Sequence, residues 1–327
     1  MDGVLPGLTE LESAARLVYQ TMPATPQYSW PLINARAGAE VWVKHENHTQ
    51  VGAFKVRGGL VYMDWLRRER PEVKTVVSAT RGNHGQSMAF AAAQYGIRVV
   101  LVVPFGNSVE KNRAMRALGA ELVEFGEDFQ AASEHAELLE RQNGWHRVSS
   151  FDLRLVTGVA TYALELFSAC RTLDTIYVPI GMGSGACGTI AARNALGVAT
   201  KVVGVVSSHA PAYALSFAAG EVREYETTTA IADGVACRKP DPVALEILRA
   251  GMDRIVMVDD DEVKDAMRAY FADTHNVAEG AGAAGLAGLL KDRAHGGQRV
   301  GTVLTGGNVN SEVFGEVLGS GQLVSLA

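Results

Sequence analysis

Apolar residues in this chain gather into short unbroken runs, and most runs are followed by a segment in which they recur every three or four positions. From Thr75 the alternation is regular. The runs TVVSA (75–79), IRVVLVVP (97–104), AELVEF (120–125) and HRVSSF (146–151) predict strands. Between them lie helical patterns: NHGQSMAFAAAQYG ended by Gly96, Ser108 to Leu118 ended by Gly119, and Phe129 to Arg141. After Phe151 the alternation resumes. Helices are predicted at Gly158 to Cys170, Thr189 to Leu196, 211–220, Glu262 to Ala272 and Ala281 to Leu290. They are interleaved with strands DTIYVPI, KVVGVV, Asp253 to Val258 and RVGTVL. Upstream, Thr9 can cap a helix running to Thr21, and Pro23 and Pro26 stop it. A strand over Glu40 to Lys44 and a helix over Phe54 to Arg67 follow.

Strands separated by helical patterns of about 10–15 residues imply parallel βαβ crossovers. The two blocks predict an α/β fold of two doubly wound units. A small one, residues 60–150, is inserted into a larger one formed by 1–59 and 151–327. The small unit is expected to be mobile.

Composition narrows the picture. The chain has 327 residues, 47% hydrophobic but only 7% aromatic, with 35 glycines, which fits an enzyme of the α/β class. A net charge of −6 argues against nucleic acid as a partner. It leaves room for a small anion, which backbone N–H groups can hold without a basic side chain. Cys170, Cys187 and Cys237 are odd in number and show no CxxC spacing, as expected for a reduced, cytoplasmic protein. No secretory leader opens the sequence and no apolar run reaches membrane-spanning length, so no membrane partner is expected.

Candidate chemistry sits at the junctions between elements. In KHENHTQVGAFKVRGG, Lys55 lies in a small apolar run with Gly52, Ala53, Phe54 and Val56. Such surroundings disfavour an ammonium and lower the pKa, which favours imine formation with an aldehyde. A surface lysine with a snorkelling stem has the same local sequence. GMGSGACG, residues 181–188, joins a strand to a helix with four glycines, the geometry of a phosphate cradle; a tight turn without a ligand is the alternative. Gly183, Gly185 and Gly188 also spell GxGxxG. A dinucleotide site, however, needs an acidic residue after the next strand, and KVVGVV runs into Ser207, Ser208 and His209.

SATRGNHGQ places Thr80, Arg81, Asn83 and His84 around Gly82 at a helix start, suited to a substrate carboxylate or to an ordinary capped turn. LTGGNVN follows the last strand, where open α/β sheets bind ligands. In VAEGAGAAGL, Glu279 precedes a small-residue helix and could simply answer its dipole.

Taken together, the five stretches resemble the fold-type II pyridoxal-phosphate enzymes, whose architecture is that of tryptophan synthase β. Within that family they are most similar to the serine/threonine dehydratases and serine racemases. The resemblance covers about residues 20 to 315 and implies pyridoxal 5'-phosphate as cofactor, with Lys55 of the pattern S/A-F-K-x-R-G as Schiff-base lysine and catalytic group. It further implies cofactor contacts from Phe54, Asn83 (to the ring hydroxyl), Gly181, Met182, Gly183, Ser184, Gly185, Glu279, Thr305 (to the pyridine nitrogen) and Gly306. Substrate contacts would come from Thr80, Arg81, Gly82, Asn83 and His84, and a homodimer is expected.

A neutral hydroxyl at Thr305 would leave the ring nitrogen largely unprotonated, favouring loss of a β-substituent over reprotonation.

Several positions depart from the family. Arg81 stands where racemases carry an acid/base serine, and a guanidinium is a poor proton shuttle. Val206 and Ala212 align with the carboxylates of a divalent-metal site found in some relatives, so no metal is expected. Met182 and Ser184 replace two customary glycines, acceptable if neither needs φ > 0. The sequence runs only a short way past TGGNVN, so the C-terminal regulatory domain of biosynthetic threonine deaminases, and its feedback by isoleucine, is not expected. The expected activity is α,β-elimination of water and ammonia from L-threonine or L-serine. Alternatives are a phenylserine dehydratase on the same scaffold, a racemase, a nicotinamide oxidoreductase built on GSGACG, and a catalytically inactive ligand-binding relative.

Overall fold

In chain order the strands are β1 (Gln27–Ser29), β2 (Glu40–His45), β3 (Thr75–Ala79), β4 (Arg98–Val103) and β5 (Glu121–Glu124). They continue with β6 (His146–Arg147), β7 (Thr175–Pro179), β8 (Lys201–Ser207), β9 (Arg254–Val258) and β10 (Arg299–Leu304). This computed structural model describes residues 5–320; the ends of the predicted larger unit, 1–4 and 321–327, lie outside the described residues.

The first six helices are α1 (Leu8–Val18), α2 (Pro31–Ala37), α3 (Lys55–Glu69), α4 (Asn83–Ala93), α5 (Val109–Ala117) and α6 (Phe129–Asn143). Then come α7 (Leu153–Ala169), α8 (Ser184–Leu196), α9 (Ala212–Ala219) and α10 (Pro242–Gly251). The last are α11 (Asp260–Thr274), α12 (Gly280–Lys291) and α13 (Ser311–Gly319).

The strands form two sheets. One has six strands in the order β1-β2-β10-β7-β8-β9, and the other four in the order β5-β4-β3-β6. Every pairing is parallel except β1 with β2. Parallel strands need helices on both faces, which is why their sequences read as continuous apolar runs. Alternation still decides which core each residue enters. In β7, Ile176 and Val178 join the core beneath α7, α8 and α10, while Tyr177 joins the one beneath α2, α11 and α12. In β4, Val99, Leu101 and Val103 pack toward α3 and α4, whereas Val100 and Val102 pack toward α6.

The α/β class and its parallel strands are as expected from the sequence. Differences lie in short or glycine-rich elements. α8 starts at Ser184, five residues before the predicted Thr189, because its first turn is the glycine loop itself. Each of those glycines disfavours an isolated helix by about 1 kcal/mol, so tertiary packing decides the outcome. β1, α2, α10 and α13 were not predicted. α2 and α10 carry Pro at the first helical position, after Trp30 and Asp241, and the Asp241 side chain caps Val243 N at 2.9 Å. Only His146 and Arg147 of the HRVSSF run are in a strand. Among the described residues no helix is long and apolar enough to cross a membrane.

Candidate active site

The carboxyl ends of β3, β7 and β10 converge on one cleft of about 930 Å³, including its open mouth. Every residue expected from the sequence to touch cofactor or substrate lines it except Gly306. That glycine works from behind: its carbonyl accepts from Glu279 N at 3.0 Å, and it bridges to Ala53.

The lysine segment is stitched to the loop after β10. Phe54 N donates to Thr305 O at 3.0 Å, and Gly307 N donates to Gly52 O at 2.9 Å. Gly52 turns there with φ 68°, a left-handed conformation that favours glycine. Lys55 opens α3 with its amine 2.9 Å from Ser184 Oγ. Lys55 keeps partial exposure to the cleft, but the surrounding protein desolvates the amine and pushes it down to about 8. A substantial uncharged fraction is therefore present near neutral pH. Ser87 Oγ holds the Lys55 carbonyl at 2.6 Å.

Two residues along the same helix, Arg57 is fully buried. It reaches Glu46 at 2.7 and 3.0 Å and Glu165 at 2.6 and 3.0 Å, while Lys44 meets Glu165 at 2.5 Å. Burial opposes ionisation of Glu165, yet Arg57 and Lys44 hold its carboxyl below the ordinary range. This buried set of two cations and two carboxylates fixes the start of α3, and with it Lys55.

The glycine loop forms a nest of donors. Gly183 has φ 98°, while Met182 and Ser184 avoid positive φ, so the two non-glycine substitutions carry no left-handed strain. The first N–H to find a carbonyl four residues back is that of Cys187, on Gly183 O at 2.9 Å. The N–H groups of Ser184, Gly185 and Ala186 precede the helix ladder at its positive end. Tyr213 OH donates to Met182 O at 3.0 Å and Tyr162 OH to Gly185 O at 2.8 Å, so these two carbonyls are satisfied by the protein.

In the loop after β3, Thr80 Oγ1 accepts from Gly82 N at 2.9 Å and Gly85 N at 3.0 Å. Its own O–H proton remains to donate. The backbone N–H groups of Asn83 and His84 open α4. The His84 ring contributes less than the sequence suggested. Ser78 Oγ donates to Val148 O at 2.7 Å, so the 3.1 Å contact to His84 Nε2 has the ring as donor, turned inward. Burial, reinforced by Lys55, lowers His84 to about 3, and it is neutral. Arg81 lines the cleft with no ion pair or side-chain hydrogen bond among the described residues. Thr305 Oγ1 is buried and makes only a 3.4 Å contact to Ala281 O.

Sequence reasoning missed Lys111 and Asp233. Both line the cleft, and Lys111 lies 3.0 Å from Asp233 and 3.1 Å from Glu279. A lysine in a charged helix gives no local sign of such partners.

Against known proteins, the pattern of the family described as "Pyridoxal-phosphate dependent enzyme" matches residues 18–306. This chain belongs to that family. The catabolic L-threonine dehydratase TdcB of Escherichia coli K12 is 30% identical over 94% of each chain. The biosynthetic enzyme IlvA of the same organism is 31% identical over 95% of this chain, which spans 61% of IlvA's length. Two solved structures superpose closely. A threonine deaminase from T.th. has a TM-score of 0.86 at 30% identity, covering 93% of this chain and 99% of its own. A pyridoxal 5'-phosphate-dependent aspartate racemase has a TM-score of 0.88 at 28% identity, covering 94% and 97%. The fold-type II architecture and the resemblance to the dehydratases are borne out, and the cofactor of this family member is pyridoxal phosphate.

The residues present fit that group. An amine with a lowered pKa faces the cleft, and a donor nest with no basic side chain of its own suits a phosphate. Thr305 carries a hydroxyl without a strong partner. The buried Glu279 Oε2 lies 3.1 Å from the Lys111 ammonium as an ion pair. At the aligned metal positions, Val206 and Ala212 are buried apolar residues.

Proposed function

We propose that this chain is an ammonia-lyase acting on a β-hydroxy-α-amino acid of the L-threonine or L-serine type, releasing a 2-oxo acid and ammonia. The observation that carries the reading is the desolvated Lys55 amine placed against the glycine loop, 2.9 Å from Ser184 Oγ. The cofactor supplies an electron sink for the pair left at Cα when its proton departs. Lys55 Nζ takes that proton in its uncharged form. As an ammonium it can then return a proton to the departing β-hydroxyl, which leaves as water. Hydrolysis of the dehydrated product completes the release of ammonia.

The Thr80 hydroxyl and the N–H groups of Asn83 and His84 orient the α-carboxylate at the start of α4. Residues 60–150 act as a smaller, mobile unit over the cleft. A cytoplasmic homodimer belongs to the same reading.

A second reading has one observation in its favour. Phe129, Met182, Val235 and Cys237 line the cleft alongside the unpaired Arg81. An aryl side chain of the phenylserine kind would find apolar walls and a guanidinium to stack on. A racemase is disfavoured because a guanidinium, the group Arg81 carries into the cleft, is a poor shuttle for the Cα proton.

The test is release of 2-oxo acid and ammonium from L-threonine, L-serine and phenylserine by purified protein with pyridoxal phosphate. The largest kcat/KM identifies the side chain. Interconversion of enantiomers without ammonium, or no turnover of any hydroxy amino acid, overturns the proposal.

A further inference from the structure

The cleft contains a relay that neither the dehydratase reading nor the sequence motifs assign. It begins at Lys111 on α5, beside the four-stranded sheet, and ends at Asn83. The Lys111 ammonium lies between Asp233 Oδ2 at 3.0 Å and Glu279 Oε2 at 3.1 Å, both contributed from beyond that sheet. The other oxygen of Glu279, Oε1, accepts from Asn83 Nδ2 at 2.5 Å. On its far side Asn83 Oδ1 accepts from Asn308 Nδ2 at 2.8 Å, and Asn308 also donates to Val51 O at 2.7 Å.

The chemistry of this chain has a direction. A carboxylate can only accept hydrogen bonds, so an ionised Glu279 requires the Asn83 amide to present its nitrogen. A protonated Glu279 carries an O–H and would tolerate the flipped amide. Asn83 lines the cleft, and an Nδ2 group has a second hydrogen beyond the one given to Glu279. From the far side Asn308 Nδ2, anchored on Val51 O, favours the same orientation, so an ionised Glu279 keeps both sides of the amide in agreement and a protonated one leaves Asn308 to hold it alone.

We propose that Lys111 is a positioning residue for the cofactor: by keeping Glu279 ionised, it holds the Asn83 amide with Nδ2 available as a donor to an anionic ring oxygen. The inference rests on the cofactor reading and goes beyond it by assigning a lysine of the cleft wall that the sequence motifs do not mark. Burial raises Glu279, and Lys111 is the cation that opposes this. Burial would also lower Lys111, but Glu279 and Asp233 together hold it above its ordinary value, so it is no proton donor at working pH. Asp233 and Lys111 are the charged groups against Glu279; Lys55, Arg81, the neutral His84 and the Cys237 thiol, which burial pushes up, are the other titratable or basic groups lining the cleft.

The test compares Lys111→Met, Lys111→Arg, Glu279→Gln and Lys111→Met/Glu279→Gln in the full chain. The readouts are the Kd for pyridoxal phosphate between pH 6 and 9 and the absorbance of the bound cofactor. Lys111→Met is expected to weaken binding by about 10- to 100-fold, the range for one lost hydrogen bond to a charged group. The deficit should be widest at pH 6, where an uncompensated Glu279 is protonated, and should narrow toward pH 9. Lys111→Arg keeps the charge and should stay within about threefold of wild type. A glutamine at 279 offers an accepting oxygen without needing a cation, so the double variant should bind within about threefold of Glu279→Gln alone. That comparison also stands in if Lys111→Met does not fold.

Wild-type affinity in Lys111→Met overturns the inference. So does a deficit that is independent of pH and not restored by Arg, or an equal loss in the glutamine background. Wild-type protein that takes up no pyridoxal phosphate would instead sink the cofactor reading itself.

Discussion

Replacing Arg57 by methionine tests whether the buried ionic set beneath α3 holds the lysine helix in place. The guanidinium makes six hydrogen bonds, to Glu46, Glu165, Thr161 and Thr25, at 2.6 to 3.2 Å. Methionine fills similar volume but leaves Glu46 and Glu165 facing a single remaining cation, Lys44. Stranding a buried charge in this way costs about 3–5 kcal/mol. That is a large share of the roughly 5–15 kcal/mol that stabilises a typical domain.

The pH dependence follows from Glu165. Its folded pKa is depressed in the wild type, so it contributes stability above the unfolded value of about 4.3, and this is lost as pH falls through the folded pKa. Without Arg57, burial dominates and the folded value rises. The carboxyl then destabilises at neutral pH and is relieved by protonation on acidification. Urea unfolding followed by circular dichroism, with cofactor at one saturating concentration, should show the full deficit at pH 7.5 and a smaller one at pH 5. A deficit under about 1 kcal/mol, typical of an exposed pair, or one that grows on acidification would refute the reasoning.

Other outcomes follow from the same geometry. Gly183→Ala forces a side chain into φ 98° and brings Cβ to 2.9 Å from Ala244 Cβ. It should cost about 1–3 kcal/mol of local strain, read as weaker pyridoxal-phosphate binding by fluorescence titration. Lys55 is desolvated with its pKa lowered to about 8, so the cofactor-free protein carries a penalty below that pH, relieved as pH rises toward the unfolded value. Lys55→Met should therefore stabilise the cofactor-free chain by roughly 2 kcal/mol at pH 7, after allowance for solvent at the cleft, and by less at pH 10. Denaturant midpoints at the two pH values check both sign and trend. For the same reason the rate at which cofactor-free protein captures pyridoxal phosphate should rise with pH through about 8, measured by stopped-flow absorbance.

Much of the fold was legible because parallel strands buried on both faces, such as β4 and β8, read as nearly unbroken apolar runs. The candidate site was legible where its residues stand out in the local sequence: a lysine in an apolar run, or a glycine loop between strand and helix. It was less so where neighbours are brought together only by the fold. Arg57 stood in plain view two residues from Lys55, but its partner Glu165 is 108 residues away. Lys111 and Asp233 are 122 residues apart, and each alone looks like a surface charge. His84 shows the converse. Its place in the loop suggested a ligand for substrate, whereas β3 had already engaged its ring through Ser78. The missed starts of α2 and α10 did carry a signal, proline at the first helical position, which apolar periodicity alone does not register.

We propose that the amine of Lys55 forms the imine with the cofactor aldehyde, beside the glycine loop. Incubation with pyridoxal phosphate, reduction with borohydride and peptide mapping by mass spectrometry test it most directly. One reduced cofactor per chain is expected, on the peptide carrying Lys55, and none in Lys55→Ala. Labelling of Lys111 or of surface lysines with Lys55 unmodified would contradict it.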